Sequence, residues 1–463
     1  MKLNEIISCE YDIPIRDIKI DSRKVKKGDL FVAVHGYNVD HFDYIDDAIK
    51  NGAAAIITDK DYVANIPIIK VDNVNERLVE ICKKRYQYNS KISLIGVTGT
   101  DGKTTTATII RELLDKYKSC AYIGTNGLFV KEKLEKLDNT TPEVPDLYKN
   151  LKYIDSENIE NVVMEVSSEA LLHKRVDGLR YKYAIFTNIS EDHLNIHKTL
   201  HNYINAKLKL VDLVDGYIIF NKDDNNLDIL KKYKNAISYG KDESSDFVIK
   251  DARINRNYST FKIVHKDEVY NIVTYLIGEY NIYNLTASFI VCYLEGLDCK
   301  RIVDDIKDIK IISGRGEKID FGQNYDLILD YAHTENGVKS LVNSLNKIYS
   351  NILVVTGAAG GREKEKRSKI GKFLLDKTSF VVFTMDDPRY EDVNDIIDDM
   401  LKDTDMTNYI RIVDRTSAIN YALSQNEYDL VLIIGKGRDN YMAIEDKKLK
   451  YCDYSVIKDF FKK

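Results

Sequence analysis

Eight apolar runs constrain this chain more than any other feature. They are "KISLIGV" (91–97), "NVVMEVSS" (161–168), "YAIFTNIS" (183–190), "GYIIFN" (216–221), "YDLILDYAH" (325–333), "NILVVTGAAGG" (351–361), "SFVVFTMDDPR" (379–389) and "YDLVLIIGKGRD" (428–439), with helical periodicity between them. A strand with one wet face alternates apolar and polar residues; near-continuous apolar runs predict strands buried on both faces, in parallel sheets covered by helices. The fold class that follows is α/β. At 463 residues the chain exceeds what one core usually serves, so two or three domains are expected. Shorter β-rich runs at 29–34, 53–59 and 66–71 predict a small α/β domain over residues 1–90. A central parallel-sheet domain is expected over 91–314, with antiparallel strands within 246–276 and a helix within 278–296. A third, doubly wound domain takes 315–463.

Composition removes several function classes. Lys and Arg number 68 against 73 Asp and Glu, a net charge of −5 without a long basic run, which gives general nucleic-acid binding little support. The chain has no stretch of 18 apolar residues and no apolar leader at its start, so no membrane association and a cytoplasmic setting are expected, with the chain acting as a monomer. Six scattered cysteines without a CxxC pair argue against a zinc cage or a disulfide framework.

The chemistry concentrates in loops. "GVTGTDGKTTT" (96–106) follows the first run and precedes the helical "ATIIRELLDKY". The strict phosphate-loop pattern needs glycine at 97, where Val97 stands; the glycines fall instead at 96, 99 and 102, directly before Lys103 and Thr104. Strand, glycine turn and helix N-terminus still present backbone N–H groups and a helix dipole to phosphate. Gly99, Thr100, Asp101, Gly102 and Thr105 are therefore candidates to cradle a nucleotide, with Lys103 as the point charge and Thr104 positioned for Mg²⁺. In an open α/β sheet ligands gather beyond the carboxyl ends of the strands, so the loops after the last four runs should share one site. Arg389, after Asp386-Asp387-Pro388, suits a two-pronged grip on a carboxylate; alternatively Pro388-Arg389 starts the next helix.

Taken in order, a dozen segments resemble the Mur ligase family, the ATP-dependent amide-forming enzymes of peptidoglycan assembly, and most of all its diamino-acid-adding branch. They are the glycine loop, "IDSRKVKKGDLFVAVHG" (20–36), "DNTTPE" (138–143), "MEVSSEALLHKRVDG" (164–178), "FTNISEDHLNIH" (186–197), "YINAK" (203–207), "GEYNIYN" (278–284), "SGRGE" (313–317), "LDYAHT" (329–334), "GAAGGREKEKR" (357–367), "DDPR" (386–389) and "GKGRDNY" (435–441). The resemblance implies three domains: a UDP-binding N-terminal one, a central P-loop ATPase and a Rossmann-like C-terminal one that receives the amino acid. It implies transfer of the ATP γ-phosphoryl group to a substrate carboxylate and attack of an amine on the acyl phosphate, with metal and cationic clamps on the developing charge.

By the same resemblance Thr104, Glu165 and His193 fall at metal positions, and Lys207 at that of a carbamylated lysine holding a second Mg²⁺. Read on its own, Glu165 is a solvated or capping carboxylate and Lys207 an exposed helix lysine. Ile20, Ser22, Tyr37, Asn38 and Val39 would meet the uridine diphosphate; Asn139, Thr140, Thr141, Ser167, His173 and Arg175 the diphosphate and muramoyl peptide. Asn281, Asn284, Arg315, Asp330 and His333 would address ATP. Arg362, Asp386, Asp387, Pro388, Arg389, Gly435 and Asp439 would choose the amino acid, and the arginines favour meso-diaminopimelate because it carries a second carboxylate. Lysine or another diamino acid, or a catalytically altered ATP-binding paralogue, are the alternatives. Four positions depart from the family: Asp101 for Asn, Glu169 for His, His173 for Gln and Asp439 for Glu. An added carboxylate at 101 or 169 brings negative charge toward phosphate, and the shorter Asp439 shifts an amino-acid contact.

Overall fold

The structure, a computed structural model, describes residues 1–36, 39–88, 91–309 and 312–462. Two compact units are present: the first combines Met1–Thr98, Leu114–Ile185 and Asn205–Ile218, the second Gly99–Leu113, Phe186–Ile204 and Ile219–Lys463.

In the first unit, strands Ile18–Lys19, Leu30–Val32, Ala55–Thr58 and Ile68–Lys70 pair in parallel in that order. A further set has Asn161–Glu165 at its centre, parallel to Ser93–Thr98 on one side and Cys120–Gly124 on the other. All five residues of Asn161–Glu165 are buried, as expected of a strand covered on both faces. Gly96 follows from that packing, because a Cβ there would lie 3.0 Å from the buried Tyr181 ring. The segment after Cys120 turns back as Gly127–Val130 and again as Lys133–Glu135, both antiparallel. Sequence periodicity does not reveal this meander, since its last strand is exposed throughout.

The second unit holds the expected antiparallel strands, Phe247–Ile254, Ser259–His265 and Glu268–Thr274, and the helix Glu279–Leu294. Beyond residue 312 lies a six-stranded sheet in the order Glu317–Ile319, Asp326–Asp330, Leu430–Ile434, Ile352–Thr356, Phe380–Phe383, Tyr409–Arg411. All pairs are parallel except the first. Side chains alternate across it. Leu430, Leu432 and Ile434 join Ile328, Val354, Val381 and Phe383 under the helices Glu335–Leu345, Glu365–Lys377 and Val393–Leu401. Val431 and Ile433 join Leu327, Leu329, Leu353, Val355 and Val382 under Arg415–Leu423 and Asp453–Phe461. Truncating one of these to Ala costs about 2–5 kcal/mol. The six cysteines are free, and Cys82, Cys120 and Cys292 are buried. No described helix is long and apolar enough to cross a membrane.

Candidate active site

The glycine loop is shaped before any ligand arrives. Gly99 and Gly102 have φ of +150° and +83°; a Cβ on Gly102 would lie 2.6 Å from Asn284 Oδ1, so a side chain at 102 is excluded by space as well as by backbone conformation. The Thr100 amide donates to Asn188 O at 2.8 Å, the Asp101 amide to Asn188 Oδ1 at 2.9 Å, and Thr187 Oγ1 to Asp101 O at 2.6 Å. The helix Lys103–Asp115 begins at the lysine, whose ammonium donates to the Gly99 and Thr100 carbonyls at 3.0 and 2.8 Å. Thr104 is buried and accepts from Arg315 Nη2 at 3.2 Å. The Asp101 carboxylate accepts from Thr334 Oγ1 at 3.0 and 3.2 Å, and Thr334 caps the helix Glu335–Leu345.

A cavity of about 620 Å³ opens against this loop, lined by Asp101, Gly102, Thr105, Asn284, Arg315 and Asp330 among others. Asp330 is buried and accepts the amides of Gly316 and Ala332; burial pushes its carboxyl up, and Arg315 opposes this. Asn281 lines neither this cavity nor the second one. Its amide donates to Ile277 O and its oxygen accepts from Asn284, which in turn accepts from Thr106 Oγ1, so Asn281 braces Asn284.

The second cavity, about 160 Å³, is lined from the loops that follow four of the five parallel strands: Tyr331 and His333, Gly357 and Arg362, Asp387 and Arg389, Gly435 and Asp439. Expected at ATP, His333 lines this cavity and not the first; Ala332 lines both. Asp386 and Asp387 line the cavity with their charge already paired. Lys436, 1% exposed, lies 2.7 Å from Asp387 and 3.6 Å from Asp386, and Asp387 also accepts the Ala443 amide. The Arg362 and Arg389 guanidinium groups have no ion pair among the described residues, although both line the cavity. Arg389 does not open a helix. Its φ is +54°, its amide donates to Ala443 O and its carbonyl accepts from Glu445, and the next helix begins at Val393. Asp439 accepts from Tyr331 Oη at 2.9 Å; burial pushes its carboxyl up, against Lys436.

His193, at φ +56°, starts the short helix Leu194–His197, whose Leu194 and Asn195 amides donate to Glu363. Beside it Asp192 lies 3.4 Å from His193 Nε2 and 3.6 Å from Lys366. Burial raises this acid, but His193, Lys366, His333 and Lys103 together bring it down to about 2. Asp192, Lys366 and Lys436 are members that sequence reading passed over. One acid among several in "SEDH" and lysines in a charged stretch carry no signal until the fold buries them.

In the first unit, Glu165 is fully buried; it accepts from the Thr125 amide at 2.9 Å, Thr125 Oγ1 at 3.2 Å and Tyr122 Oη. The reading of Glu165 as a solvated carboxylate is thereby corrected. So is that of Lys207 as an exposed helix lysine, because its side chain is 1% exposed. Thr141 donates to Glu165 O and accepts the Ser167 amide, while Ser167 caps the helix Ser168–Leu172, in which Glu169 and, at the C-cap, His173 lie one turn apart. Burial lowers His173, helped by Arg175. Arg175 pairs with Glu143 at 2.7 Å and reaches Thr141 O, Asn139 donates to Glu143, and Thr140 shares a hydrogen bond with Thr125, so these expected substrate residues form one network. Lys24 pairs with Asp138, which brings the 3₁₀ turn Ser22–Lys24 to the same place. Ser22 is buried, Val39 is exposed, and Tyr37 and Asn38 lie outside the described residues.

Three family profiles match consecutive stretches: "Mur ligase family, catalytic domain" over residues 14–92, "Mur ligase middle domain" over 97–292 and "Mur ligase, glutamate ligase domain" over 314–437. A relative from Clostridium botulinum is 36% identical over 482 residues, covering 100% of both chains. The chain belongs to the Mur ligase family. That relative, and one from Bacillus cereus that is 33% identical over 99% of this chain and 98% of its own, are each named UDP-N-acetylmuramoyl-L-alanyl-D-glutamate–2,6-diaminopimelate ligase. Among solved structures, one of that same ligase name aligns with a TM-score of 0.69 at 28% identity, over 100% of this chain and 99% of its own. MurF ligase from Thermotoga maritima, solved with ADP, also gives 0.69 at 20% identity, over 96% and 97%, which supports the shared fold. Residues 97–106 of the glycine loop lie within the middle-domain match; the second cavity is lined by Asp192, His193 and Asn195 from that match and by loops in or beside the glutamate-ligase-domain match.

Proposed function

We propose that this Mur ligase adds meso-2,6-diaminopimelate to UDP-N-acetylmuramoyl-L-alanyl-D-glutamate at the expense of ATP. The names of the full-length relatives support the reaction, and the three consecutive profile matches support a division into three functional domains, which we set at 1–90, 91–314 and 315–463. One observation carries the choice of amino acid. The 160 Å³ cavity keeps Arg362 and Arg389 without ion-pair partners while Lys436 is spent on Asp386 and Asp387. Two free guanidinium groups suit a substrate with two carboxylates.

In this reading the ATP phosphates lie along the helix start at Lys103, and the lysine leaves the Gly99 and Thr100 carbonyls for phosphate oxygen. Arg315 neutralises charge beside Thr104. In the second unit the Thr104 hydroxyl and the His193 imidazole would hold Mg²⁺, with phosphate supplying hard oxygen ligands; in the first, the buried Glu165 carboxylate takes the family's metal position. Among the described residues no three His, Cys, Asp or Glu side chains form a metal cluster. Bound Mg²⁺ offsets negative charge on the transferring phosphoryl group. Thr141, Ser167 and Arg175 orient the muramoyl dipeptide; Arg362 and Arg389 hold the amino acid so that its amine reaches the activated carboxyl. By the family resemblance Lys207, 1% exposed, would carry the carbamate that meets a metal.

Phosphate release from ATP is the direct assay, with the muramoyl dipeptide present and diaminopimelate, lysine or ornithine added in turn. Release that requires the dipeptide and rises at least tenfold with diaminopimelate over lysine supports the proposal; equal release with lysine contradicts the amino-acid assignment.

A further inference from the structure

The two cavities share a wall, and its parts are wired to each other. Tyr331 faces the second cavity, where its hydroxyl donates to Asp439 Oδ2 at 2.9 Å. The face of its ring carries the Arg315 guanidinium, 4.7 Å from the centroid, and Arg315 lines the nucleotide cavity and donates to Thr104. A second connection runs beside it. Arg438, next to Asp439, turns away from both cavities: its Nε donates to Glu317 Oε2 at 2.8 Å, and its guanidinium stacks on Tyr454. Glu317 accepts the Gly314 amide at 2.8 Å, which fixes the backbone just before Arg315. Contact between the loops leaves no slack. A Cβ on Gly437 would lie 2.7 Å from the Tyr331 ring, and one on Gly314 would lie 2.9 Å from the Arg438 amide nitrogen.

Arg315 sits between Gly314 and Gly316, at φ of +69° and +59°, so its own backbone does little to aim a long side chain. The aim comes from its surroundings. We propose that Tyr331 and Arg438 are positioning residues for nucleotide binding. Asp439 orients the Tyr331 ring, the ring holds the Arg315 guanidinium in plane, and Arg438 with Glu317 holds the Arg315 backbone. A side chain of the amino-acid cavity, Asp439, thereby takes part in holding ATP. The inference rests on the reading of the 620 Å³ cavity as the nucleotide site, and it is independent of which acceptor or amino acid is used.

The test is ADP binding with Mg²⁺ by calorimetry on the full chain, with no acceptor and no amino acid present. Tyr331→Phe keeps the ring and removes only the hydroxyl; Arg438→Lys keeps the charge and removes the fork; Asp439→Asn removes the anion at the other cavity. Each is expected to weaken ADP about fivefold, the scale of one lost hydrogen bond. In an Arg315→Lys background the same changes should add nothing, which distinguishes positioning from general loosening of the fold. Wild-type affinity in both Tyr331→Phe and Arg438→Lys, or full effects that persist beside Arg315→Lys, would overturn the proposal, as would failure of the wild type to bind ADP. A wrong amino-acid assignment shows up separately, as phosphate release that does not depend on diaminopimelate.

Discussion

The two cavities of the second unit are built from different materials. Around the glycine loop nearly every tie is a backbone amide, a carbonyl, a hydroxyl or a carboxamide: Thr100 and Asp101 to Asn188, Thr187 to Asp101, Thr106 to Asn284. Around the four sheet loops the ties are ionic, with Lys436 on Asp387, Arg367 on Glu391 and Asp399, and Arg415 on Asp453. A cradle of backbone and neutral side-chain ties around one ammonium, Lys103, fixes shape and serves a ligand that every such ATPase shares. Charged loops fix sign and spacing, and these are what distinguish one amino acid from another.

If that division is right, the largest effect should come from the shared cradle. Lys103→Ala is expected to lower kcat/KM about 10³-fold for every amino acid alike, the scale of losing a preorganised cationic or N–H donor at a phosphoryl group. Steady-state kinetics with two amino acids checks it; a loss confined to one of them would break the comparison. Next in size is the scaffold of the charged loops. Arg415 and Asp453 are both 0% exposed, and Arg415 also donates to Met385 O and Ile434 O, the residues that precede Asp386 and Gly435. Arg415→Ala should cost about 3–5 kcal/mol in urea unfolding by leaving Asp453 buried and unpaired.

Arg389→Lys tests specificity itself. Losing a two-pronged grip should raise KM for diaminopimelate by about 10–100-fold and leave KM for ATP unchanged. The smallest effect is electrostatic. Arg367 holds Glu391 down to about 2, below its ordinary 4.5. A lowered carboxyl favours the folded chain above its unfolded value, so this contribution is whole above pH about 4.5 and is lost as pH falls toward 2. Arg367→Met, followed by thermal unfolding from pH 6 to 3, should flatten that acid limb; an unchanged slope would remove Glu391 from the account.

How much of this was legible in the chain follows from which signals are local. The buried strands announce themselves, because Leu430–Ile434 must be apolar at every position to face helices on both sides. The glycine loop is equally plain, since Gly102 has no room for a side chain. The exposed strand Lys133–Glu135 left no periodic trace. The Lys207 side chain on its own read as an exposed helix lysine, and only tertiary burial overturns that reading. Asp386 and Asp387 are legible because the motif is local, whereas their partner Lys436 lies 49 residues further on from Asp387. The phosphate cradle is written in one stretch of chain; the selectivity of the second cavity is written in pairs that only the fold brings together.

The account stands on a carboxylate being activated by phosphoryl transfer at the Lys103 cradle. The most direct measurement places oxygen-18 in the glutamate carboxyl of the muramoyl dipeptide and follows it by mass spectrometry through turnover with ATP and diaminopimelate. The account predicts one labelled oxygen in the inorganic phosphate for each amide formed. Label-free phosphate, with amide still produced, would contradict it.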